Sequence, residues 1–436
     1  MHDTLLVRGH ECVGQGNRQL TCTVLGSAAN YPPPFSASPV PPPSTCAGGA
    51  PATPNLHGDL DLVDPNLRPL RSLRASLAFA RDAFGGAVLT SEALITHGLS
   101  DVAVRNLNLP SPRGRDPYGR VIYDSIAPNG LVRAARQPDF SEAIDVVNAP
   151  GARSYQLSTR IERAPSLGIG GSLSYTFSQA RDVMTPLRVN ARGTVLWASA
   201  RVVSGSHDDF TRTTSSNDIP HRVIAVGTYT RSWFRSPTNF SFSYIGEAGR
   251  PFTYIAYGAG GKGDLNGDGS NSNDPIYIPR NALDSAEIRV TGVSDAAGAD
   301  NSATTLSARE STQRQALQRF IDDTPCLRRQ RGRIMERNSC REPWSNTTVA
   351  SLKQELPVGG SALDLELDVF NVLNLLNAAW GSQREAAPAL LEQVQQTSAP
   401  VLGSRPVFRY DTTRPTWTVV TDESKFQLQL AARYRF

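Results

Sequence analysis

Residues 426–436 read FQLQLAARYRF. Phe426, Leu428, Leu430, Ala432, Tyr434 and Phe436 alternate with Gln427, Gln429, Ala431, Arg433 and Arg435. A period of two is the pattern of a strand with one apolar and one polar face. The alternation recurs upstream. Leu167, Ile169, Gly171, Leu173, Tyr175 and Phe177 alternate with glycines and small hydroxyl residues, and Leu363, Leu365, Leu367 and Val369 alternate with Asp364, Glu366 and Asp368. Similar patterns predict strands over 70–81, 86–97, 153–163, 221–234, 238–248 and 346–357, with a weaker one at 3–9. Segments of about 10–13 residues exceed the ~5–6 of an average strand and fit a tilted bilayer crossing.

The connections carry the topology. Asp82–Gly85, Ala164–Ser166, Arg235–Pro237 and Val358–Gly360 read as short turns, whereas 10–69, 98–152, 179–220, 250–345 and 374–423 are long loops. Short and long alternate, so in an antiparallel meander all short turns lie at one end and all long loops at the other. Bacterial outer-membrane barrels have that asymmetry, with periplasmic turns and extracellular loops. A soluble domain rarely tolerates several connections of that length. The predicted fold class is all-β, an antiparallel transmembrane β-barrel portion of about ten strands. Aromatic residues near the ends agree with interfacial girdles: Tyr175 and Phe177 on the loop side, Trp233, Phe234, Tyr434 and Phe436 on the turn side.

Composition excludes other classes. The 436 residues are 39% hydrophobic and 19% charged, enough apolar content for a folded object. Mean hydropathy is -0.31 and no long apolar run exists, which excludes a helical membrane protein but not a barrel. Net charge is +4, from 44 basic against 40 acidic residues, too balanced to argue for nucleic acid. The start of the chain, from Met1 to Thr4, has neither the basic n-region nor the apolar h-region of a signal peptide. The five cysteines, Cys12, Cys22, Cys46, Cys326 and Cys340, form no C-x-x-C pair. They are either unrelated thiols or two loop disulfides, Cys22–Cys46 and Cys326–Cys340, which require an oxidising compartment.

The carboxy-terminal strand ending in Phe436 resembles that of Gram-negative outer-membrane proteins. There, the resemblance implies, Tyr434 and the terminal aromatic Phe436 serve as an assembly signal for the barrel-assembly machinery. Five further stretches resemble Oar-type TonB-dependent receptors: DPNLRPLRSLRASLAF from Asp64, NDIPHRV from Asn217, GDLNGDGSNSNDPIYIPR from Gly263, CLRRQRGRIMERNSCREPWSN from Cys326 and LELDVFNVLNLLNAAWG from Leu365. The family implies a signal peptide, an energy-coupling box, a plug domain and a 22-stranded barrel. The expectation is therefore that residues 1–436 are the carboxy-terminal part of such a barrel, with plug and signal peptide absent and Met1 an internal or misassigned start. The TonB energy-coupling complex would act only through the missing N-terminal parts.

Two loop segments are candidate binding sites. Asp264, Asn266 and Asp268 stand at positions 1, 3 and 5 of a calcium-type loop with Gly269 at position 6, while Pro275 replaces the acid of position 12. Asn273 and Asp274 complete an oxygen-rich set for a hard cation. The other reading is a Gly/Asn/Asp turn cluster. Arg328, Arg329, Arg331 and Arg333 lie between Cys326 and Cys340, either as an anion-binding loop above lipopolysaccharide or as a solvated, disulfide-tied loop. A short helix is predicted over 311–322, with Ala316, Leu317, Phe320 and Ile321 on one face. The Pro-rich run Tyr31–Pro43 reads as a stiff spacer. No histidine pair has metal-ligand spacing, and no nucleophile elbow, phosphate loop or H-E-x-x-H motif occurs.

The expected function is an outer-membrane TonB-dependent receptor, a transporter barrel fragment for capture or energy-coupled passage of a ligand, located in the cell outer membrane and not an enzyme. The alternative is an outer-membrane-anchored surface adhesion protein working through its loops. Outer-membrane lipid and lipopolysaccharide are expected partners. No cofactor is required beyond calcium in the loop just described.

Overall fold

The structure is a computed structural model. It describes residues 58–123, 140–184, 197, 206–207, 209–233, 236–258, 262–294, 298–395 and 405–436, with two-residue strands at Val7–Arg8, Gln19–Leu20 and Pro54–Asn55. Cys12, Cys22, Cys46, Phe234 and the Pro-rich run lie outside the described residues.

Ten strands form the wall: β1 Arg71–Asp82, β2 Ala87–Asn106, β3 Phe140–Ala149, β4 Arg153–Ser166, β5 Ile169–Asp182, β6 His221–Trp233, β7 Ser236–Glu247, β8 Ser345–Val358, β9 Ser361–Phe370 and β10 Gln427–Arg435. They belong to a 13-stranded sheet and pair antiparallel in chain order, except that β3 and β4 both pair with β2. β3 and β4 run collinearly along β2 in one register, Asp101 opposite Ala149 and His97 opposite Arg153. Gly98 and Gly151 meet where the two strands join. A Cβ on Gly151 would lie 2.2 Å from the Gly98 carbonyl carbon, so only glycine fits that approach.

Alternation holds across the wall. Tyr229, Phe240, Leu352, Leu367 and Leu430 form one row of directly opposed residues, and Leu77, Ala93, Leu157 and Phe177 another. Most of these large side chains are exposed, Leu77 and Leu430 each at 77%. An apolar face of that extent far exceeds the patches of soluble monomers. The opposite face carries charge: Arg435 bonds Asp364 at 2.9 Å and also Glu355, and Arg160 pairs with Glu162 at 2.8 Å.

Three readings of the sequence need correction. The turn expected at Ala164–Ser166 lies at Leu167–Gly168, because Leu167 (φ 51°) and Gly168 (φ 82°) both adopt left-handed backbone and close a two-residue hairpin. A Cβ on Gly168 would meet the Thr230 carbonyl oxygen at 2.2 Å. Of the strand expected at 3–9 the described residues include only Val7–Arg8, which pairs parallel with Gly58–Val63 rather than joining the wall; the rest lies outside them. The 98–152 loop contains the end of β2 and all of β3, since both strands continue past the length a membrane requires.

The long loops fold together into a cap. A four-stranded sheet joins Ile255–Tyr257 and Arg289–Val290 from one loop with Ala389–Gln395 and Val407–Arg409 from another. Its core includes Tyr254, Ile276, Ile288, Leu317, Leu391 and Phe408. A second core joins Val104, Tyr123 and Ile144 to Trp197. The helix α1 spans Ala303–Asp323 and begins earlier than expected. None of its residues before Gln313 is buried, so the first turns present no apolar periodicity to read. No described helix is long and apolar enough to cross a membrane.

Candidate functional site

The oxygen-rich loop sits at the centre of the cap. Asn266, Asn273 and Asp274 are 0% exposed, and Asp264 and Asp268 are buried. Asp264 accepts the Gly267 and Gly269 amides at 2.7 and 2.8 Å, and Asp268 accepts the Ser270 amide at 2.7 Å. Asp274 accepts the Leu265 amide at 2.7 Å. Asp and Asn at these places fold the tight turns locally through bonds to their own backbone.

Sequence reasoning missed two partners. Arg120, 1% exposed, donates Nη1 to Asp274 Oδ1 at 2.6 Å and Nη2 to the Pro275 carbonyl. It is presented by the hairpin of Gly114–Arg115 with Val121–Ile122, whose Tyr123 amide donates to the Asn266 carbonyl at 2.8 Å. His207 Nε2 is hydrogen-bonded to Asp268 Oδ2, and its ring stacks on Trp197 at 4.3 Å. One buried junction therefore ties three loops. Arg120 also lies 3.7 Å from the buried Asp116 four residues before it, but its closer carboxylate partner, Asp274, is 154 residues away and no sequence signal links the two.

Burial pushes the Asp264 carboxyl well up, and the negative charges of Asp268 and Asp274 push it further. Burial raises Asp274 to about 6 against the opposing pull of Arg120. Asp268 is also subject to burial, but the neighbouring His207 outweighs it and the carboxyl falls below its usual range. Among the described residues no group of three or more His, Cys, Asp or Glu is placed to hold a metal ion. The carboxylates instead point to separate protein donors.

The arginine-rich segment is engaged within the cap. Arg328 donates to the Asp322 carbonyl at 2.7 Å, Arg331 pairs with Asp322 at 2.5 Å, and Arg333 pairs with Glu336 at 3.2 Å and bonds the Arg329 carbonyl at 3.2 Å. Arg337 is buried against Asp182 at the top of β5, and Arg341 reaches Asp218 of the NDIPHRV stretch. These pairs lock the loop to the wall. Cys326 and Cys340 form a disulfide with Cα atoms 5.3 Å apart. Peptide mapping without reduction is expected to recover them as one cross-linked pair. Reduction should cost the cap about 3 kcal/mol, the chain-entropy value for a loop of about 15 residues. Two freely alkylated thiols in protein taken from cells would refute the pairing.

At the other end of the wall Tyr434 and Phe436 project outward with ring centroids 6.0 Å apart. A family model described as an outer membrane beta barrel domain matches residues 13–389. A search of the curated proteins found no match.

Proposed function

From the premise that the chain belongs to the outer membrane beta barrel domain family, we propose that it forms the wall and extracellular mouth of an Oar-type TonB-dependent receptor. Its location is the outer membrane. The observation that carries the receptor reading is the cap, in which long loops from one end of the wall share hydrophobic cores and charged junctions. Rigid, interlocked loops form a preorganised ligand-capturing mouth. The wall's two edges support a wider barrel, since β1 and β10 pair with no other wall strand beyond β2 and β9 among the described residues. Unpaired backbone groups in lipid cost several kcal/mol each, so further strands must cover them. The energy-coupling complex acts through parts N-terminal to this wall.

The test uses outer membranes containing the full-length gene product and the purified periplasmic domain of the energy-coupling protein. Specific retention of that domain is the expected result. No retention at saturating concentration overturns the receptor reading and favours the adhesion protein.

A further inference from the structure

The outward face of the wall carries a basic cluster at the height where the apolar band ends. Arg153 of β4 and Arg181 of β5 are directly opposed, so their Cα atoms lie about 5 Å apart. Both are exposed and share the face of Tyr155, Leu157 and Phe177 by strand alternation. His97 of β2 stands opposite Arg153 in the same row. Arg212 comes from the next loop, two residues before Thr214, which stands opposite Arg181, and anchors Nε on the Gly151 carbonyl at 2.6 Å. Among the described residues no carboxylate lies within ion-pair distance of Arg153, Arg181 or Arg212. The nearest acid on this face in the β2 register, Asp101, accepts the Val102 and Ala152 amides.

Like charges directly opposed across a strand pair repel, so this arrangement is unfavourable unless an anion bridges it. Height identifies the anion. About 9–11 residues of a tilted strand cross the bilayer, and β4 has ten from Leu157 to its turn-side end at Ser166. Arg153 lies four residues beyond Leu157, in the headgroup zone. Arginine is suited to phosphate because its planar fork donates two parallel hydrogen bonds. Ile95, Tyr155, Leu157 and Phe177 continue the surface downward as an apolar strip for acyl chains.

We propose that Arg153, Arg181 and Arg212 form a binding site for the phosphorylated headgroup of an outer-leaflet glycolipid whose acyl chains lie along the apolar strip. This assignment rests on the outer-membrane location alone and is independent of the coupling reading. The ligand is a lipid phosphate rather than a free anion, because the basic cluster is continuous with the lipid-facing surface.

The test is native mass spectrometry of the full-length gene product extracted from outer membranes in mild detergent, with bisphosphorylated lipid A added as probe. The wild type should retain the lipid. The double variant Arg153→Gln/Arg181→Gln should retain at least about tenfold less, as expected when charge-assisted contacts are lost. Arg181→Gln alone should fall between them. Arg160→Gln, on the polar face of the same strand, should match the wild type. Recovery of each variant in the outer-membrane fraction, with heat-modifiable mobility, shows that assembly is intact. Equal retention by the assembled double variant overturns the site, as does equal competition by inorganic phosphate, which would mean a free-anion site. Absence of every form from the outer membrane would instead overturn the location itself.

Discussion

Arg120→Ala is expected to loosen the cap by about 3–5 kcal/mol at pH 7.5, the usual cost of leaving one member of a buried ion pair without its partner. Asp274 would keep its buried carboxylate and the Leu265 amide but lose the guanidinium 2.6 Å away. The measurement is hydrogen exchange, corrected for intrinsic rate, in peptides covering 262–275 and 114–123. The exposed Arg319→Ala should change protection by no more than about 0.5 kcal/mol. Unchanged exchange at 262–275 in Arg120→Ala would show that the junction does not hold the loops together. The pH dependence has a definite sign. Asp264 and Asp274 have folded-state pKa values raised above the unfolded ones. Their contribution to stability is full below the ordinary carboxylate range and is lost as pH rises through the folded values, about 6 for Asp274. Asp268 is lowered, so its contribution is lost only as pH falls below the ordinary range. Protection at 262–275 should therefore decline between pH 5 and pH 7.5. The loss caused by Arg120→Ala should be smaller at pH 5, where Asp274 is largely protonated. A rise in protection over that interval would contradict the assignment, and added protection in millimolar calcium would support the cation reading of the loop.

Leu430→Arg should destabilise the assembled wall by about 2–4 kcal/mol, the cost of arginine on the lipid face near the bilayer midplane. Gln429→Arg, one residue away, should change it by less than about 1 kcal/mol. Leu430 is outward, 77% exposed and opposite Leu367, whereas Gln429 is opposite Asp368 on the polar face. A one-residue step in a strand reverses the face, so the pair tests register directly. Denaturant unfolding of the full-length protein in lipid vesicles measures both. Equal costs at the two positions would mean that β10 is not a membrane-facing strand.

Alternation determined nine of the ten wall strands, β3 being the exception. Strand positions, the faces of residues such as Leu430 and Asp364, and the separation of short turns from long loops follow from a period of two, a local property of consecutive residues. The disulfide-bonded cysteines were legible because only fourteen positions separate them. The turn at Leu167–Gly168 was misplaced because a leucine in left-handed backbone is rare and the apolar pattern continues through it. The early turns of α1 were invisible because no core faces them.

Only the tertiary structure decided what the long loops do. The sequence marked Asp264, Asn266, Asp268, Asn273 and Asp274 as oxygen-rich, and that composition is equally compatible with a cation, with turns or with a charge junction. Arg120 and His207 settle which partners these side chains meet, and they arrive from other loops. The same holds for Arg337 with Asp182 and Arg341 with Asp218. The basic rim of Arg153, Arg181 and Arg212 spans two strands and a loop, so it exists only once register is set. Strand pattern is written residue by residue along the chain, whereas a buried charge chooses its partner across folded space, where desolvation leaves it no alternative.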